Sequence, residues 1–166
     1  MSAADPVDEL ITQWRRERPD LELGAMATIG RLGRLQAIIR PAIEAVLLRH
    51  GLSVAEFDVL AALRRSGEPY VLRPIDLSRS LMLSPAGMTG RLDRLEAAGH
   101  IARRLDPDDR RSMLVEMTDS GIATIDAAVT DHTVNEERLL APLTANERAA
   151  LDRTLRKLTA AHAIHG

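Results

Sequence analysis

A mainly α fold with one small β-hairpin is what this 166-residue sequence predicts. Three observations carry the expectation. Apolar residues make up 45% of the chain but aromatics only 2%, namely Trp14, Phe57 and Tyr70. A core of Leu, Ile, Val, Ala and Met favours helices packed on helices over a β-sandwich. Apolar residues recur at helical spacing, punctuated by capping signals, and only two strand-like runs flank a polar loop near the middle. The length suits one domain with a substantial core.

The elements follow in order. Asp5 is an N-cap and Pro6 a first helical residue, so a short helix is expected over about Pro6–Arg16, with Leu10, Ile11 and Trp14 on one face. Arg18-Pro19-Asp20 breaks it. A long helix is expected over Leu21–Arg49, with Met26, Ile29, Leu32, Leu35, Ile39, Ile43, Val46 and Leu47 as its apolar positions. Pro41 predicts a kink within it, and Gly51 its C-cap. Ser53 and Glu56 have the capping-box spacing for a third helix running to about Arg65. Tyr70-Val71-Leu72 is a short extended piece, and a brief helix is expected over Ile75–Met82. Leu83-Ser84-Pro85 is a turn and cap for a helix that runs to Ala98 and stops at Gly99. The strand-like runs are Ile101–Leu105 and Met113–Met117, joined by a charged loop. Two long helices end the sequence, Asp119–Leu140 and Thr144–Ile164, the second opened by a Thr144/Glu147 capping box.

Composition excludes several functions. The chain has no cysteine, hence no disulfide framework, Cys-ligated zinc or thiol sensor. No apolar h-region and no stretch approaching about 20 apolar residues is present, so a cytoplasmic protein without membrane association is expected. No Gly-rich phosphate loop, HExxH or Ser-His-Asp context is seen, so an enzyme is not expected, nor a cofactor. The five His are scattered; His132, His162 and His165 could meet at a metal only if the C-terminus were ordered around them, and a frayed end is the simpler reading.

The net charge of −2 hides a segregation. Arg79 to Arg111 holds seven Arg against five acids, whereas Ser112 to the end holds five bases against eight acids. Phosphate contacts are local, so a basic middle matters more than the total. Helix, turn, helix and β-hairpin in sequence make a winged helix-turn-helix. On its second helix Leu92 and Leu95 lie within about 40° of Met88, and the three form the core face. Ala86, Gly90, Asp93 and Ala97 lie opposite, where small residues let a helix seat in a major groove. Thr89 and Arg94 flank that face for base or phosphate contacts, and Ser84 can bond a phosphate at the helix start. Arg110 and Arg111 at the hairpin tip suit a minor groove, with Asp109 holding a wing arginine by a salt bridge. A winged-helix interaction module, to which Arg110 and Arg111 would be dispensable, is the alternative from another class.

The stretch SPAGMTGRLDRLEAAGHIARRLDPDDRRSMLVEMTDSG, Ser84 to Gly121, closely resembles the MarR (multiple antibiotic resistance regulator) family. The element order over the rest of the chain agrees. The resemblance implies a homodimer on a pseudo-palindromic operator, repressing transcription until a small molecule binds. It divides the chain into N-terminal helices over 1–50, a winged helix-turn-helix over 51–118 and C-terminal dimerisation helices over 119–166. A narrower resemblance is to the urate-responsive branch, with an extra N-terminal helix bearing a Trp, an Asp and an Arg seven apart on the third helix, and an Arg on the reading helix. Trp14, Asp58, Arg65 and Arg91 stand in those places.

Geometry bears on this set independently. Asp58 and Arg65 return to one helix face within about 20° and sit about 10.5 Å apart along the axis, too far to pair, with Ala62 between them. Arg91 lies about 60° from Met88, half-turned toward the core, where a guanidinium requires an anion or carboxylate. Two readings stand. Either a planar anion bonds Arg91 and Arg65, donates to Asp58 and stacks on Trp14, or Asp58 bridges an arginine structurally and Trp14 anchors the first helix. A phenolic carboxylate bound nearby is the other effector class the resemblance implies.

Overall fold

The computed structural model describes residues 5–82, 84–109 and 112–162; of Pro85 and Ala86 it describes the backbone. Among these residues it has seven helices and a three-stranded sheet. They are α1 (Pro6–Glu17), α2 (Gly24–Leu48), α3 (Val54–Arg65), β1 (Val71–Leu72), α4 (Pro74–Ser80), α5 (Pro85–Ala97), β2 (Ile101–Leu105), β3 (Met113–Met117), α6 (Asp119–Leu140) and α7 (Ala145–His162). The chain divides between Ala42 and Ile43 into two compact units.

In the first unit the Asp5 carboxylate accepts from Val7 N at 3.0 Å and caps α1 as its sequence position predicts. Val7, Ile11 and Leu23 form a small core, with Ala27 against it. α2 begins at Gly24 rather than at the expected Leu21, the buried Leu23 standing just before it with its carbonyl accepting from Ala27 N at 3.0 Å. Arg31 pairs with Asp5 and Asp8, tying the start of α1 to α2. The helix continues through Pro41 to Leu48.

The second unit holds the large core. Five successive residues of α3, Val59 to Leu63, are buried. Leu47, Leu52, Leu77, Met88, Leu92, Leu95, Ile101, Val115 and Ile125 complete the same cluster. Both oxygens of the Ser53/Glu56 capping box are engaged as expected. The Thr144/Glu147 box also forms. The expected hairpin is present, with Ile101 opposite Met117 and Leu105 opposite Met113, but it is part of a larger sheet. Val71 and Leu72 add a third antiparallel strand to β3, giving the order β1-β3-β2. Two residues are too few for alternation to announce a strand. Met82, at a φ of 52°, lies beyond the last turn of α4, which stops at Ser80. Leu83, which opens the expected turn, and Ile164, the expected end of the last helix, lie outside the described residues.

Candidate nucleic-acid interface and effector site

The second helix of the winged unit, α5, is set by its buried stripe. Met88, Leu92 and Leu95 are only 1–2% exposed, which turns the opposite face outward. Ser84 caps it, its hydroxyl oxygen accepting from Gly87 N at 3.3 Å. That oxygen's own proton remains to donate to a phosphate. Ala86 lies in the first turn, Thr89 is exposed and Gly90 half-buried. Arg94 is exposed too, but it is engaged rather than free: its Nε donates to Glu56 Oε1 at 2.7 Å.

The wing is tied to the same helix. Arg103 on β2 pairs with Asp93 and Glu96 of α5, at 2.8 and 2.5 Å. The side-chain and backbone hydrogen bonds that Arg103 donates to Glu96 outweigh burial and hold that carboxyl below its ordinary range. Asp109 at the wing accepts the Ser112 hydroxyl at 2.7 Å. Arg110 and Arg111, the expected minor-groove contacts, lie outside the described residues, as does any bridge Asp109 makes to them.

The proposed effector residues fall in both units. Asp58 on α3 is half-buried, Ala62 is buried and Arg65 is exposed. Arg91 on α5 is half-buried, as its angular position predicts. Its Nη1 donates to the Ala55 carbonyl at a long 3.5 Å. Among the described residues Asp58 and Arg65 make no ion pair, and Arg91 has no acidic partner, so the structural salt bridge weighed above does not form. Trp14 belongs to the first unit. It is 42% exposed there and lines an apolar cavity of about 620 Å³ with Leu10, Met26, Ile29 and Arg34. Sequence reasoning missed the Arg94–Glu56 and Arg103–Asp93/Glu96 pairs, because no local spacing signals contacts between separate elements.

Comparison with known proteins agrees with this geometry. Residues 50–112 match the model of a family described as MarR. Over 145 residues the sequence is 41% identical to the HTH-type transcriptional regulator PecS of Dickeya dadantii, covering 87% of each chain. The chain belongs to the MarR family. Another relative is the HTH-type transcriptional repressor Rv2887 of Mycobacterium tuberculosis, 33% identical over 127 residues, 76% of this chain and 89% of that one. Among solved structures, a mutant MarR from E. coli complexed with operator DNA superposes with a TM-score of 0.69 at 25% identity, over 87% of this chain and 96% of that one. This MarR-family chain is thus a transcription regulator with a winged helix-turn-helix, and its relatives are regulators rather than enzymes. No helix among the described residues is long and apolar enough to cross a membrane.

Proposed function

We propose that the protein is a homodimeric repressor that leaves a pseudo-palindromic operator when a small aromatic anion, urate or a related purine, binds Asp58, Arg65 and Arg91. The observation that carries the effector reading is Arg91. A half-buried guanidinium on the DNA-reading helix, with one long bond to a carbonyl and no acidic partner among the described residues, is a cation suited to an anion. An anion that draws on Arg91 shifts the position of α5 and so couples ligand to DNA affinity. Asp58 accepts from the ligand's N–H groups, and Arg65 binds its far end. Trp14, the fourth residue of the family resemblance, lies in the first unit and lines an apolar cavity there.

DNA contacts are assigned to Ser84, Ala86, Thr89, Gly90 and Arg94 in the major groove, and to Arg110 and Arg111 in the minor groove. Support for a dimer comes from the apolar side chains left exposed on α2 and α7, including Ile29, Leu32, Leu35, Ile38, Leu155 and Leu158. The relative named as a repressor supports the sign of regulation.

The test is a mobility-shift titration on the gene's own upstream region with urate, xanthine and salicylate. Release by the purines, lost in Arg91→Ala, is the expected result. Release by salicylate alone would replace the effector with a phenolic carboxylate. An unaltered purine response in Arg91→Ala would sink the mechanism.

A further inference from the structure

We infer that Glu56 is a positioning residue for DNA recognition: it holds Arg94 so that the reading helix discriminates the operator instead of gripping any phosphate. The inference rests on the reading that α5 enters the major groove.

Glu56 is not a mobile surface acid. Its Oε2 accepts from the Ser53 backbone N–H at 2.8 Å and from the Ser53 hydroxyl at 2.7 Å, while Oε1 takes Arg94 Nε at 2.7 Å. Its side chain is 14% exposed against 59% for Arg94, so a fixed carboxylate holds the inner side of an outward guanidinium. With Nε engaged, Nη1 lies over Gly90, where an added Cβ would come within 3.7 Å of it. The group is therefore laid back along the outward face, toward the residues assigned to base contacts. The other acids of α5, Asp93 and Glu96, are occupied by Arg103 and do not compete for Arg94. An unpaired arginine on that face would bind phosphate wherever it met it, whereas a paired and oriented one contributes mainly when a base edge fits its remaining donors.

Glu56→Gln separates the charge from the helix cap, because Gln also serves at that capping-box position. Affinity for the operator and for a scrambled duplex is measured by fluorescence anisotropy across a salt series. The expected result is tighter binding to the scrambled duplex, a salt slope steeper by about one per reading helix, and an operator preference reduced about tenfold. In an Arg94→Ala background the same substitution should change nothing. The inference is overturned if Glu56→Gln keeps the wild-type slope and preference, or if its effect persists without Arg94. Arg94→Ala binding the operator as wild type would also overturn it. Failure of the DNA reading itself would look different: the unsubstituted protein would then prefer no sequence.

Discussion

Helices α2 and α5 carry similarly regular apolar patterns and use them in opposite ways. Met88, Leu92 and Leu95 of α5 vanish into the core of the winged unit. The 25-residue α2 buries only Val46 and Leu47, at its C-terminal end, while Met26, Ile29, Leu32, Leu35 and Ile38 face outward. Periodicity tells that a stripe will be buried, not by what. The stripe of α5 is completed by the same chain; that of α2 stays exposed in the single chain, and a second copy covers it in the function proposed above.

Substitutions in the closed core and on the exposed stripe should therefore act differently. Leu92→Ala should cost about 2–5 kcal/mol, read as a lower chemical-denaturation midpoint, because it leaves a cavity in a closed core. Gly121→Ala should come next. An added Cβ there would lie 2.0 Å from the His100 carbonyl oxygen, a backbone atom that cannot step aside cheaply. Overpacking of this kind costs about 1–3 kcal/mol or more, and a thermal melt reads it. Leu35→Asp, on the outward stripe, should change the intrinsic stability of the dilute chain by no more than about 0.5 kcal/mol. It should instead abolish the concentration dependence of Tm and the dimer peak in sedimentation velocity, if a second copy covers α2. Unchanged association would show that the stripe serves something else.

The mildest effect is acid sensitivity. Hydrogen bonds from Arg64 hold the Asp126 carboxyl below its usual range, and those from Arg103 do the same for Glu96. At Glu56 burial pushes upward but is outweighed by the bonds from Ser53 and Arg94. A carboxyl whose folded pKa is depressed contributes stability above its unfolded value, and that contribution disappears as pH falls through the folded one. The denaturation midpoint should therefore hold from about pH 8 to 5 and decline below about pH 4.3, where the unfolded carboxyls begin to take up protons. A decline beginning near neutrality would point to histidine instead.

Much of the fold was legible because its signals are local. Asp5 before Pro6, Ser53 with Glu56, Ser84 before Pro85 and Thr144 with Glu147 each mark a helix start where one is found. The core face of α5 followed from three residues at helical spacing. What escaped has partners far along the chain. The strand at Val71–Leu72 exists through β3, whose partners are residues 115 and 116. Arg94 meets Glu56 across 38 positions, and nothing near either residue distinguishes that arginine from one free to touch DNA. Glu56 was read from its spacing as a cap, which it is; its second oxygen was invisible. The half-turned setting of Arg91 was the long-range feature best anticipated, because the buried stripe of its own helix fixes it.

In the function proposed above, α5 and the wing read a two-fold operator. Hydroxyl-radical footprinting on the upstream region tests it most directly. Two protected segments centred about 10 base pairs apart are expected, with flanking protection lost in an Arg110→Ala/Arg111→Ala double variant and central protection weakened by Thr89→Ala. A footprint without two-fold symmetry, or one that both variants leave intact, would contradict it.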